Sequence, residues 1–121
     1  EGVELQDYVF CGPPMVFTTD LTPPAKYPKG SAGYKRTLVK EGASIGANAT
    51  VVCGHTIGRW ALIGSGAVVT HDVPDHAMML GVPARQAGWA CECGQILDKT
   101  LRCPACGRSY REEDTGLVEE R

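Results

Sequence analysis

An aliphatic residue recurs every six positions, without a slip, at Val39, Ile45, Val51, Ile57, Ile63 and Val69. An amphipathic helix needs a spacing near 3.6, so strict sixes exclude it. Six is an even number, so equivalent residues fall on the same face of an extended strand. The fifth position of each block is small or aliphatic: Ala43, Ala49, Ala61, Ala67 and Val73, with His55 as the interruption. Gly46, Gly58 and Gly64 follow three of the leading residues, which predicts backbone angles closed to other residues there. Short strands and turns in this rhythm predict a parallel β-solenoid, each coil stacking its aliphatic column on the last. A sandwich of evenly spaced strands is the alternative, and six consecutive in-phase blocks argue against it.

Upstream, Val3, Val9 and Met15 fall on the same sixes, although Asp7 and Pro13 suit the small-residue position poorly. Between the two runs, residues 21–38 carry Pro23, Pro24 and Pro28 and cannot continue the column. This stretch reads as a long loop that leaves the solenoid and returns in phase. It holds Lys26, Lys29, Lys35 and Arg36 beside Tyr27 and Tyr34, the composition of a solvated excursion or of a lid over an anionic substrate.

Aromatic residues make up only 7% of the chain against 15 glycines, which suits stacked backbone better than a helix bundle. The formal charge of −2 lacks the basic excess of a non-specific nucleic-acid binder. No apolar run approaches the roughly 20 residues that span a bilayer as a helix, and the opening EGVELQDYVF has no signal-peptide pattern. The chain does not open on Met and is already in an apolar rhythm, as expected of a fragment or a processed chain.

Four of the six cysteines cluster as Cys91, Cys93, Cys103 and Cys106. Each pair ends in Cys-Gly, at Gly94 and Gly107, which allows a tight knuckle whose N–H groups face a thiolate. Four thiolates suit a closed tetrahedral Zn2+ site of structural type. A redox pair or a disulfide is the alternative, but clustering fits metal binding in a reducing compartment, here the cytoplasm. Residues 90–110 thus read as a zinc ribbon, with QILDKTLR as a small hairpin between the knuckles. Residues 111–121 read as an acidic, frayed tail.

From Gly2 to Trp89 the chain resembles the hexapeptide-repeat acyltransferases. IGANATVVCGHTIGRWALIGSGAVVTHDVP followed by GVPARQAGW is similar to their final coils and exit segment, here residues 74–89. EGVELQDYVFCGPPMVFTTD, the Pro-rich loop and YKRTLVKEGASIGANATVVCGHTIG resemble the bacterial sugar-nucleotide N-acetyltransferases within that group. The similarity is to enzymes acting on UDP-2-acetamido-3-amino-2,3-dideoxyglucuronate, with dTDP-amino-sugar enzymes sharing much of the pattern. The resemblance implies an all-β, left-handed parallel β-helix over residues 1–89. It also implies a homotrimer with active sites between subunits and acetyl-CoA lying along the helix side. Members of the family have more N-terminal coils than this chain supplies.

Acetyl transfer to an amine needs a proton acceptor and a donor facing the developing oxyanion. His55 is the first catalytic candidate, since an imidazole titrates near neutrality. Its competing role is a structural histidine at a corner, and similar sequences carry His or Val there. Thr19 is the second, because the resembling enzymes commonly carry Asn after VFT, near the sugar. Arg36, Thr37 and Asp20 are candidates for the sugar or nucleotide, and Asp20 also suits plain solvation. Gly64, Ser65, Gly66 and Ala67 match the turn that approaches the pantetheine arm in the family, and Arg85 suits the CoA phosphates. The glycines equally suit coil corners, and Arg85 a surface charge. Asn48 reads as part of a stacked polar turn, and His71 and His76 as a solvated exit turn. The reading that results is an acetyl-CoA-dependent N-acetyltransferase of a nucleotide-linked amino sugar, made for surface polysaccharide. The alternatives are a non-catalytic scaffold or truncated remnant, and an O-acetyltransferase of the same fold.

Overall fold

A computed structural model describes residues 2–18 and 36–120. Among these, every regular element is a strand, and no helix is long and apolar enough to cross a membrane. Nine short strands alternate with tight corners: β1 (Val3–Leu5), β2 (Phe10–Cys11), β3 (Val16–Phe17), β4 (Thr37–Val39), β5 (Ser44–Ile45), β6 (Thr50–Val51), β7 (Thr56–Ile57), β8 (Leu62–Ile63) and β9 (Val68–Val69). They form three walls of parallel strands, β1-β4-β7, β2-β5-β8 and β3-β6-β9. Leu38 pairs with Thr56 and Ser44 with Leu62, so three six-residue blocks close one coil. β10 (Ala77–Leu80) continues the second wall, and β11 (Arg85–Trp89) folds back on it antiparallel.

Each two-residue strand turns one side chain in and one out. Val39, Ile45, Val51, Ile57, Ile63 and Val69 are sealed from solvent, as are the corner residues Ala43, Ala49, Ala61 and Ala67. Burying each isoleucine or valine contributes about 1.5–3 kcal/mol. The repetition makes that gain cumulative along the coil axis.

The register corrects the sequence reading at both ends. Leu5 stands over Val39 and Cys11 over Ile45, so the true column upstream is Leu5, Cys11 and Phe17. Val9 and Met15 instead stand above the small corner residues, with Phe10 N–H bonded to the Ala43 carbonyl and Val16 N–H to that of Ala49. The connection between β3 and β4 is not a whole number of sixes, so the return is out of phase by two residues. β4 also claims Thr37 and Leu38 from the stretch expected to be loop. After Val69 a second slip occurs: Val73 bridges to Ile57 and Met79 pairs with Ile63. Val73 therefore joins the aliphatic column and not the corner position of His55.

The glycine expectation also changes. The fourth residue of the first five blocks takes the left-handed conformation: Gly42, Asn48, Gly54, Trp60 and Gly66. Gly46 is needed for a different reason, since a Cβ there would stand 2.6 Å from the Ser65 nitrogen of the next coil.

The region after Trp89 has its own small core of Cys91, Leu97, Cys103, Tyr110 and Leu117, joined to the solenoid core through Trp89. Two knuckle turns are closed by the bridges Ala90–Ile96 and Arg102–Ser109. QILDKTLR is not a hairpin between them: Asp98 turns the chain by accepting the Thr100 N–H at 2.9 Å. Residues 111–120 are not a frayed tail. β12 (Tyr110–Glu113) and β13 (Gly116–Glu119) pair antiparallel, and Leu117 is buried. Burial of that leucine offsets the cost of ordering a charged segment.

Candidate functional site

Thr18 and Thr37, on either side of residues 19–35, stand at the corner of the prism that also bears His55. Cys53 N–H donates to Thr18 Oγ1 at 2.9 Å, and Gly54 N–H donates to Thr37 Oγ1 at 3.3 Å. Two threonines flanking residues 19–35 thus clamp the amides just before His55. Thr37 is buried, and Leu38 N–H bonds to the His55 carbonyl. Arg36 precedes it and is exposed. Thr19 and Asp20 lie outside the described residues.

His55 has a partner that the sequence did not suggest. The slip after Val69 removes the side chain that would stack beneath His55, and Asp72 enters instead. Its Oδ1 lies 3.4 Å from His55 Nδ1 and accepts the Thr56 N–H at 2.9 Å. The imidazole keeps a quarter of its surface exposed. The His71 ring centroid is 6.4 Å away, with His71 Nδ1 bonded to Thr70 Oγ1. Thr56 and Asp72 also begin a cleft of about 320 Å3, further lined by Lys40, Asp75, Asp114 and Thr115.

The other acyl-transfer candidates stand at a different corner. Gly64, Ser65, Gly66 and Ala67 turn between β8 and β9, with Gly66 N–H bonded to the Ala47 carbonyl. Ser65 and Gly66 are exposed and Ala67 is sealed. Arg85 opens β11 nearby, exposed, and the preceding turn is tied to this corner through Ala84 N–H and the Val68 carbonyl. Within one chain the structure joins His55, Thr37 and the loop ends, and separates them from the Gly64–Ala67 turn and Arg85. His76 is no solvated turn residue. It is buried, donates from Nδ1 to the Ala90 carbonyl at 2.8 Å, and packs on Tyr110. Burial holds its imidazole below the usual histidine range, opposed by the Ala90 bond.

Cys91, Cys93, Cys103 and Cys106 bring their sulfurs within 4.8 Å of one another. The separations are 3.5 Å for Cys91–Cys106 and 3.6 Å for Cys93–Cys103. A tetrahedral ion with bonds of about 2.3 Å sets sulfurs about 3.8 Å apart, so the donor set and its spacing fit a metal. The surroundings favour the thiolate at Cys103 and Cys106 and oppose it at Cys93. The Arg108 backbone N–H, then its guanidinium at 3.2 Å, draws the Cys106 thiol down to about 6 against desolvation. The Cys106 backbone N–H lowers Cys103. The Gln95 backbone N–H pulls Cys93 the same way, but desolvation and the three facing sulfurs push it up to about 12. Tyr110 Oη accepts the Glu92 N–H and donates to Cys91 Sγ at 3.3 Å.

No family model matches the chain. It is 44% identical over 90 residues to a dTDP-3-amino-3,6-dideoxy-alpha-D-galactopyranose 3-N-acetyltransferase of Aneurinibacillus thermoaerophilus, covering 72% of this chain and 46% of that protein. It is 43% identical over 58 residues to the serine acetyltransferase of Escherichia coli, covering 48% of this chain and 21% of that enzyme. The chain thus spans less than half the length of either relative. Among solved structures, an N-acyltransferase from Bacillus cereus in complex with dTDP and coenzyme A superposes with a TM-score of 0.61 at 18% identity. That match covers 72% of this chain and 52% of the other. A galactoside acetyltransferase in complex with coenzyme A matches at 0.58 and 24% identity, over 72% and 44% of the two chains. The chain is a homologue of a sugar-nucleotide 3-N-acetyltransferase and carries the left-handed parallel β-helix of the hexapeptide-repeat acyltransferases.

Proposed function

We propose that this protein transfers the acetyl group of acetyl-CoA to an amino group of a nucleotide-linked amino sugar, for bacterial surface polysaccharide. The observation that carries the reading is the 44% identity, sustained over 90 residues, with an enzyme of that chemistry. In the reaction the free amine attacks the thioester carbon, the carbonyl oxygen becomes negative, and collapse expels the CoA thiolate. The amine proton must go to a base. His55 fits that task through Nε2 when its Nδ1–H faces Asp72, and its partial exposure leaves it within reach of an acceptor. Thr37, Arg36, Thr19 and Asp20 are the acceptor-side candidates, from the loop and its ends. The Gly64–Ala67 turn and Arg85 are the CoA-side candidates. Their placement on another corner suits a homotrimer, in which one subunit's loop corner faces its neighbour's turn, and the clustered thiols suit the cytoplasm. Cys91, Cys93, Cys103 and Cys106 would hold Zn2+, whose closed four-thiolate shell supplies folding energy and no open position for chemistry.

The test is acetyl-CoA consumption by the purified protein over UDP- and dTDP-linked 3-amino and 4-amino sugars. Turnover should require the amine and vanish with the matching hydroxyl sugar. Equal turnover of the hydroxyl sugar would replace the reading with O-acetylation. No turnover of any acceptor would remove it.

A further inference from the structure

The four-cysteine region is joined to the solenoid at the wall of the cleft beside His55. Asp75 lies alongside β13 as if it were another strand. Its N–H bonds to the Thr115 carbonyl at 2.9 Å, and its carbonyl accepts the Leu117 N–H at 3.1 Å. Gly116, between them, has φ +127°, and a Cβ there would stand 2.4 Å from Asp75 N and O. Only glycine allows this approach. Asp75 is fixed from the other side by the solenoid, since its Oδ1 accepts the Arg59 N–H at 2.8 Å. The tip of the hairpin, Asp114 and Thr115, lines the same cleft as Thr56 and Asp72.

A second set of contacts runs from this junction to the sulfurs. His76 N–H bonds to the Arg59 carbonyl at 2.7 Å, and the His76 carbonyl accepts the Ala90 N–H at 2.7 Å. The His76 ring packs on that of Tyr110, with centroids 4.7 Å apart, and Tyr110 Oη reaches Cys91 Sγ. Leu117, next to Gly116, is packed in one cluster with Cys91, Cys103 and Tyr110. That cluster is too small to hold its shape by apolar burial alone, so its order depends on the ion.

We propose that the Cys91–Cys93–Cys103–Cys106 unit is a metal-dependent latch. With the ion bound, Tyr110, His76 and Leu117 hold the Asp75–Gly116 junction and seat Asp114 and Thr115 in the cleft wall. Without it the junction opens while the solenoid coils stay intact. The latch deepens the proposed acyl-transfer reading, because it makes the shape of the cleft beside His55 depend on a metal bound elsewhere in the chain. The coils persist because their core is a separate, longer column of buried residues.

The test is amide hydrogen exchange, read by mass spectrometry on the full chain, before and after metal removal by a chelator, with metal content measured on the same samples. About one equivalent of metal is expected at the start. On removal, peptides covering 72–78 and 110–119 should exchange at least tenfold faster, and peptides covering 44–54, whose amides bond within the coils, should not change. Gly116→Val should open 72–78 with the metal still bound, because it breaks the junction and not the thiolate shell. Tyr110→Phe should give a smaller rise in the same two segments. Equal protection with and without metal would overturn the latch, as would parallel loss over 44–54 or less than half an equivalent of metal at the start. The exchange pattern does not require turnover. If it holds while no amino sugar is acetylated, the latch stands and the proposed reaction falls.

Discussion

The two halves of the chain reach order by opposite means. In the solenoid, every coil buries the same few aliphatic atoms in the same slots, and the loss of one contact is shared among its neighbours above and below. In the C-terminal unit, the buried residues include two thiols, and under the proposed latch order depends on what the four sulfurs hold together. Stability by repetition tolerates local damage, whereas stability by coordination does not. Structural zinc supplies about 10–16 kcal/mol of folding energy in small domains of comparable size.

That contrast can be broken most forcefully at the sulfurs. Cys103→Ser should drop metal content below half an equivalent and melt the C-terminal unit. Far-ultraviolet circular dichroism should still report the β-sheet of the coils. Collapse of both signals together would show one cooperative unit in place of two.

The next largest effect concerns chemistry and not folding. His55→Ala should lower kcat by about 10²–10⁴-fold, the usual loss for a general base, with melting temperature and metal content unchanged. A kcat within about threefold of the parent would return His55 to a structural corner role.

Ile63→Ala tests the solenoid half alone. Removing a fully buried isoleucine costs about 2–5 kcal/mol, and the toll should fall on the chain's melting midpoint while metal stoichiometry is preserved. The smallest expected effect sits at the junction. The buried His76 binds a proton less readily folded than unfolded, so its contribution to stability is present above the unfolded value near 6.5 and is lost as pH falls below it. Thermal melts between pH 7.5 and pH 5.5 should show this decline. His76→Asn, which still suits the left-handed backbone at that position, should flatten it.

The solenoid was legible because its signal is periodic: six aliphatic residues in phase state the wall they belong to without reference to any distant contact. Phase itself was not legible across the gap. Nothing in residues 21–38 shows how many positions the loop consumes, so Val9 and Met15 looked like column residues when they cover small corners. The partners of the His55 corner were hidden for a related reason. Thr18 and Asp72 come together with it only when coils close, and each sits beside a residue that stands out more, Thr19 in VFTTD or His71 in THDVP. Writing the chain in rows of one coil, with the loop cut out, would have aligned Thr18 near Cys53. The C-terminal hairpin was not legible because its strands carry few apolar residues, Tyr110 in one and Leu117 and Val118 in the other, so only the Gly-containing turn DTG signals it. The thiol cluster was readable because metal-ligand spacing is local. What it touches was not, since Tyr110 and His76 meet only in the folded chain.

The two-residue shortening after Val69 has a further consequence. A solenoid is in principle an open-ended polymer, and each finished coil is a template for another. By moving Val73 into the column of Ile57 and shifting β10 with it, the chain spoils its own template on that side. A seventh block in the original frame would point its aliphatic residues at water. β11 then folds back antiparallel over the last exposed rung. The short turn that brings Asp72 to His55 is thus also the punctuation that stops the fibre from growing.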